Sequence, residues 1–182
     1  MAIGLMGALL WTRFMKDPWM PEGIRPIYPR PQLRRRDWTS LDGDWDFALD
    51  PDALWRYPTD VTWGRTIRVP FAPETVASGV GEAGFYRACW YRRTLPVVPR
   101  KSPNDRVLLH FGAVDYAATV WANGFEVAAH EGGYTPFVAD LTGHAAGTEI
   151  EVVVRAEDDP HDLAKPRGKA IVACRPSNSG CF

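Results

Sequence analysis

The sequence feature that most constrains the fold is an alternation of apolar and charged residues at positions 149–157. Ile150, Val152, Val154 and Ala156 fall on one face of an extended chain, and three glutamates and an arginine fall on the other. Only one residue of the segment, Val153, breaks the alternation. Successive side chains of a β-strand point to opposite faces, so the pattern predicts a half-buried strand.

Two earlier segments show related patterns. Residues 106–111 place Val107, Leu109 and Phe111 on one face, and residues 85–95 are rich in aromatic and arginine side chains. Aromatic residues in a strand pack well on a pleated, half-buried surface. Both segments are therefore predicted to be strands.

An Asn-Gly dipeptide joins two further apolar runs. Residues 116–122 precede Asn123 and Gly124, and residues 125–129 follow them. A two-residue type I′ turn needs positive φ at both central positions, which asparagine and glycine tolerate best. The sequence therefore predicts a β-hairpin here.

Helical signals are weak along the chain. Residues 50–55 are predicted to form a single turn capped by Asp50, and nothing longer has a 3.6-residue period. Sixteen prolines and sixteen glycines separate the apolar segments at short intervals, as in sandwiches and jelly rolls. We expect an all-β sandwich over residues 41–157, preceded by an extended proline-rich arm at 18–31.

Length and charge restrict the class of protein. A chain of 182 residues has room for one ordinary domain. Its 46% hydrophobic and 24% charged residues are typical of a globular protein. A net charge of −1 gives no support to a nucleic-acid or an anionic membrane partner.

The N-terminal residues and the cysteines bear on localisation. Residues 1–11 are apolar but too short to span a bilayer, and no basic residue precedes them. We therefore expect residues 1–28 to be a poorly ordered leader and arm. The three cysteines, Cys89, Cys174 and Cys181, do not describe a disulfide framework. A reducing, cytoplasmic location is favoured, and secretion is left open.

Acidic residues and histidines were considered as ligands or catalysts. Asp42, Asp44 and Asp46 alternate and would share one strand face, where a cation is conceivable. A solvent-facing acidic edge is the commoner case, and no Ca²⁺-type loop surrounds them. The four histidines show no metal-ligand spacing, and no nucleotide-binding or nucleophile motif occurs. No metal, cofactor or catalytic residue is predicted.

Four segments taken together carry a family resemblance. They are residues 41–47; residues 67–71 with Tyr86 and residues 90–93; residues 109–124 continuing through 130–137 and 140–142; and residues 166–169. In order and spacing they resemble the sugar-binding-like N-terminal domain of glycoside hydrolase family 2. That family includes β-galactosidases, β-glucuronidases and β-mannosidases.

The resemblance implies a galactose-binding-like jelly-roll β-sandwich at residues 29–169. The tail at 170–182 matches nothing in the family, so the last strand of the sandwich is expected to be missing. Residues of the matching motifs are interpreted as structural; they are Trp45, Trp90, Asp115, Trp121, Asn123, Gly124, Gly133, Asp140 and Arg167.

The resemblance also implies a function. In this family two glutamates on a (β/α)₈ barrel hydrolyse the glycosidic bond with retention, and a barrel needs about 250 residues. Only 13 residues follow Lys169. We therefore expect a scaffold and substrate-positioning domain of a retaining β-glycosidase, with no catalysis of its own. Sugar preference is expected to reside in the barrel.

The family uses one loop of this domain as part of its active-site wall. Gly84, Phe85 and Tyr86 occupy that position here and are the candidate substrate-binding residues. The expected partners are a catalytic barrel and a β-glycoside, bound weakly or not at all by the isolated chain. A free-standing carbohydrate-binding module is the alternative.

Family resemblance stops abruptly after Lys169. The family continues with an aromatic-rich strand, whereas residues 170–182 show no such pattern. This motivates the hypothesis of a frameshift or a truncated gene model near Lys169. Translating the DNA beyond this codon in the other two frames should reveal the strand and a barrel, and their absence from both frames would refute the hypothesis.

Overall fold

The computed structural model describes residues 5–10, 38–84, 86–97, 100 and 102–159, with the backbone alone at 5–10. Among these residues all regular structure is strand or short 3₁₀ helix, and no helix is long and apolar enough to cross a membrane. The proline-rich arm, Arg167 and the tail at 170–182 lie outside the described residues. The domain boundaries drawn at residues 28 and 169 stay predictions.

In the described part of the chain, ten strands form two antiparallel sheets. They are β1 (Leu5–Leu10), β2 (Thr39–Ser40), β3 (Gly43–Asp50), β4 (Arg65–Val69), β5 (Ala88–Pro96), β6 (Leu108–Val114), β7 (Ala117–Ala122), β8 (Phe125–Glu131), β9 (Phe137–Asp140) and β10 (Glu149–Glu157). The first sheet has the order β2-β1-β6-β9, and the second has the order β4-β3-β5-β10-β7-β8. The 3₁₀ turns are Pro58–Asp60, Val76–Ser78 and Thr142–His144. The predicted all-β jelly-roll sandwich is confirmed.

The main core lies between the two sheets. The predicted inward faces of β6 and β10 are both buried there, with Leu109 and Phe111 from β6 and Val152 and Val154 from β10. Phe111 stacks on Phe137 of β9, with ring centroids 4.5 Å apart. Burying each large apolar side chain contributes about 1.5–3 kcal/mol, so this interface is the main source of stability.

The outer face of the six-stranded sheet has a second apolar cluster. Val153, Trp90 and Trp121 are buried in it, although they lie on the face opposite to the main core. The Trp90 and Trp121 rings stack with centroids 5.3 Å apart. Val153 therefore does not break the strand pattern, because both faces of β10 are buried at this point.

The connection between β3 and β4 covers this second cluster. It contributes half-buried Trp55 and Trp63. Its first turn is held by the buried Asp50 carboxylate, which accepts the backbone N–H of Leu54 at 2.9 Å and that of Trp55 at 3.0 Å. The single capped turn predicted at residues 50–55 corresponds to this arrangement.

β1 lies within residues 1–28, which are predicted from the sequence to be a poorly ordered leader and arm. Its backbone pairs antiparallel with β6 and with β2, and the register places Leu9 opposite His110 and Ser40. β1 thereby occupies a central position in the four-stranded sheet. The apolar N-terminal run has strand geometry at residues 5–10.

Asp140 closes β9 with a small hydrogen-bond network. Its carboxylate accepts from the backbone N–H and the hydroxyl of Thr142 and from the Arg106 guanidinium. Partial burial acts to raise the pKa of Asp140, but these bonds outweigh it and lower the pKa to about 2. Asp140 thus stabilises the turn that follows β9 only while it is ionised.

The depressed pKa of Asp140 predicts a pH dependence of stability. The contribution is fully present above the ordinary carboxyl pKa and is lost as the pH falls from about 4 towards about 2. Asp140→Asn should lower the thermal midpoint at neutral pH and reduce its fall across that acid range. Thermal unfolding followed by circular dichroism measures both effects, with the exposed Asp52→Asn as the matched control. An unchanged acid profile in Asp140→Asn would contradict the assignment.

Candidate functional site

One end of the six-stranded sheet gathers most of the residues that the sequence singled out in loops. The strand register aligns Asp50 with Ala88, Ala88 with Glu157, Glu157 with Ala117, and Ala117 with Glu131. The loops that enter or leave the strands at these positions therefore meet at one end of the sheet. We call this end of the sheet the Asp50 end.

Four loops of the described chain and the exit of β10 meet at the Asp50 end, and one of the loops is the β3–β4 connection that begins after Asp50. The other three loops and the exit contain Gly84 and Tyr86 before β5, Asp115 before β7, Gly133 after β8, and Asp158–Asp159 after β10. Residues far apart in the sequence are thus placed on one surface. The antiparallel register, rather than any local motif, produces this grouping.

The other predicted motif residues lie elsewhere. Asn123, Gly124 and Asp140 lie at the opposite end of the sandwich, where Asn123 N–H donates to Glu151 O at 2.9 Å. Trp45 is buried in the main core, and its indole N–H donates to Leu41 O at 2.9 Å. These residues are positioned to support the fold and do not contribute side chains to the Asp50 end.

The candidate substrate loop is only partly exposed. Gly84 is at the surface, Phe85 lies outside the described residues, and Tyr86 is 3% exposed with its ring in the main core. Burial, followed by the neighbouring Cys89 and Glu74, raises the pKa of Tyr86 well above its ordinary value. The assignment of Tyr86 as a candidate substrate-binding residue stays a prediction; its ring lies in the core beneath the loop rather than at the surface. Contact between the Gly84 surface and a sugar stays a prediction.

An ion pair fastens the exit of β10 to the start of β5. Arg87 Nη2 lies 2.8 Å from Asp159 Oδ2, and the Arg87 carbonyl accepts the Asp158 N–H at 2.9 Å. The Arg87 N–H in turn donates to Pro51 O at 3.0 Å. The backbone bonds contribute the positional precision, since an exposed ion pair alone contributes little. Asp159 therefore lies beside the start of β5, where the candidate substrate loop ends.

The alternating aspartates of β3 have protein partners. Asp46 is paired with Arg92 of the neighbouring strand β5, and Asp46 Oδ2 lies 2.8 Å from Arg92 Nη2. On the other side, Asp44 Oδ1 lies 3.6 Å from Arg68 Nε of β4. The positive charges that pair with Asp44 and Asp46 are thus arginine side chains of the adjacent strands. Sequence analysis missed these pairs because cross-strand register is not written in the spacing of either strand. Among the described residues no group of three His, Cys, Asp or Glu side chains is placed to hold a metal.

A shallow pocket lies outside the Asp50 end. It has a volume of about 370 Å³, and its lining includes Asp44, Thr66 and Arg68 of the paired strands and residues 76–79. No aromatic side chain lines it. The pocket includes neither the candidate substrate loop nor the exit of β10, so the Asp50 end is kept as the candidate site.

Comparison with known families identifies the domain. The family described as "Glycosyl hydrolases family 2, sugar binding domain" matches residues 57–158. The chain belongs to glycosyl hydrolase family 2. The matched residues run from the connection over the outer aromatic cluster to the exit of β10.

Family 2 relatives share sequence with this chain over most of its length. It is 32% identical to the β-glucuronidase of Canis lupus familiaris in an alignment 177 positions long that covers 87% of this chain and 26% of the relative. It is 32% identical to the β-glucuronidase of Paenibacillus borealis in an alignment 136 positions long that covers 70% of this chain and 22% of the relative. The chain therefore spans about a quarter of the length of these relatives.

Solved family 2 structures share the fold. Faecalibacterium prausnitzii β-glucuronidase superposes with a TM-score of 0.53 at 32% identity, over 65% of this chain and 20% of the other. A Ruminococcus gnavus β-glucuronidase in complex with a C6-substituted uronic isofagomine gives 0.56 at 28% identity, over 66% and 21%. The sandwich therefore corresponds to about a fifth of each of those chains.

The close approach of Gly133 to Asp115 generates a prediction for this site. A Cβ at Gly133 would overlap the Asp115 carboxylate, with Cγ 2.7 Å away, and would lie 3.2 Å from Asp115 Cβ, so a close contact persists even when the carboxylate rotates away. Gly133→Ala should destabilise the domain by about 1–3 kcal/mol, the range for overpacking. Urea unfolding measures this, with Gly143→Ala as the control because nothing lies within 4 Å of its Cβ position. Equal midpoints for the two variants would show that the contact between the loops is not tight.

Proposed function

We propose that this chain acts as the N-terminal scaffold and substrate-positioning domain of a retaining β-glycosidase, with β-glucuronides as the substrate class. The observation that carries the proposal is the family 2 match, combined with relatives that are named β-glucuronidase and are about four times longer. The chain supplies the sugar-binding domain and leaves the chemistry to another domain.

The chemistry of retaining hydrolysis supports this division of labour. It needs an acid/base and a nucleophile with carboxyl groups about 5–5.5 Å apart, on either side of the scissile bond. Asp44 and Asp46 were considered above as ligands or catalysts. In the structure they are paired with arginines on an open strand face. The arginine pairs engage these carboxylates on the open sheet face, so we assign neither aspartate to either role. We therefore expect the catalytic pair on a (β/α)₈ barrel of about 250 residues.

The Asp50 end is the surface that we assign to substrate positioning. The Arg87–Asp159 pair and the bond between Asp158 and Arg87 hold Asp159 beside the start of β5, next to the Gly84 loop. A domain that follows residue 159 would approach this end, and the exposed Gly84 backbone would form part of its wall. The Tyr86 ring beneath, buried in the core, would hold that wall in place.

Hydrolysis and binding assays test the proposal on the purified chain. We expect no turnover of chromogenic β-glucuronides, β-galactosides or β-mannosides, because the catalytic carboxyl pair is supplied elsewhere. Isothermal titration with glucuronate should show no binding at millimolar or tighter affinity, because half of a shared site binds weakly. A full-length β-glucuronidase serves as the positive control for both assays.

Two results would contradict the proposal in different ways. Binding at millimolar or tighter affinity without turnover would favour a free-standing carbohydrate-binding module. Turnover that survives purification and disappears on mutation of a carboxylate in this chain would favour a self-sufficient hydrolase.

A further inference from the structure

The Asn123-Gly124 turn contains a chemically reactive dipeptide whose asparagine side chain is restrained by hydrogen bonds. The chain contains three asparagines, and Asn123 is the one that precedes a glycine. Both turn residues have positive φ, 49° at Asn123 and 82° at Gly124, and both are exposed. The turn is therefore open to solvent at the backbone, where the chemistry of an Asn-Gly dipeptide takes place.

Asn-Gly sequences can undergo a known backbone reaction. The Gly124 nitrogen loses its proton and attacks Asn123 Cγ; the new N–Cγ bond forms as the Cγ–Nδ2 bond breaks, and ammonia leaves. Water then opens the succinimide ring at either carbonyl and gives aspartate or isoaspartate. Glycine places no Cβ near the attacking nitrogen, and no heavy atom lies within 4 Å of the position a Gly124 Cβ would take. Steric hindrance therefore does not protect this site.

Hydrogen bonds to distant parts of the chain restrain the Asn123 side chain. Nδ2 donates to His144 O at 3.1 Å, and Oδ1 accepts the Glu151 N–H at 2.9 Å. Ring closure requires the Asn123 Cγ and the Gly124 nitrogen to approach each other, and the two hydrogen bonds restrain the side chain against that movement.

We infer that Asn123 is a deamidation site that the folded domain protects, and that its conversion weakens this end of the sandwich. Reaction requires a local opening that releases the hairpin from His144 and from β10. An aspartate would put a carboxylate oxygen where Nδ2 now lies, facing the His144 carbonyl oxygen, so two acceptors would oppose each other. An isoaspartate would add a methylene to the backbone of a two-residue turn and disturb the hairpin register.

Peptide mapping by mass spectrometry tests the protection. The full chain is incubated folded and in concentrated urea at the same mildly alkaline pH and temperature, and aspartate and isoaspartate at position 123 are quantified. Two hydrogen bonds of ordinary strength should slow the reaction in the folded chain by at least about tenfold. Gly124→Ala in urea is the control that assigns the signal to succinimide formation. Equal rates in the folded and unfolded chain would overturn the inference.

Variants with the product side chain test the consequence. Asn123→Asp should lower the thermal midpoint at neutral pH by a few degrees or prevent folding. Asn104→Asp is the matched control, because Asn104 is exposed in a turn where its backbone N–H, rather than its side chain, bonds to Ser102. If Asn123→Asp is no less stable than Asn104→Asp, the inference about weakening is wrong, whereas the rate comparison on the unmodified chain stands independently.

Discussion

The burial of β10 on both of its faces is the constraint on which the rest of this domain depends. β10 pairs with β5 over all nine of its residues and with β7 over six. One face contributes Val152 and Val154 to the main core, and Val153 on the other face packs with Trp90 under the connection between β3 and β4. A strand held on two edges and two faces has one favourable register, because a shift by one residue would exchange its buried sets.

That register positions the candidate site. Because β10, β5, β7, β3 and β8 end in alignment, loops distant in sequence meet at the Asp50 end. Two contacts then hold those loops together: the close approach of Gly133 to Asp115 and the pairing of Arg87 with Asp159. The surface proposed to position a substrate is thus a consequence of sheet geometry, and the same geometry places the Asn123 turn at the far end.

Much of the fold was predictable because its signals are local. The alternation at 149–157 and the Asn-Gly turn each reflect the conformation of a few adjacent residues. The site was less predictable. Tyr86 was named as a candidate substrate-binding residue from the family resemblance of its loop, and the tertiary structure places its side chain in the core. Nothing in the neighbouring sequence distinguishes an aromatic ring that points outward from one that points between two sheets.

By itself, the sequence determined an all-β domain with family 2 motifs, its hairpin turn and the inward faces of its strands. Those properties follow from side-chain period and turn chemistry, which act over a few residues. The tertiary structure decided that Val153 is buried with Trp90, and that arginines face Asp44 and Asp46. It also decided which loops share the Asp50 end. These are contacts between strands far apart in the chain, and they exist only after the sheet register has been set.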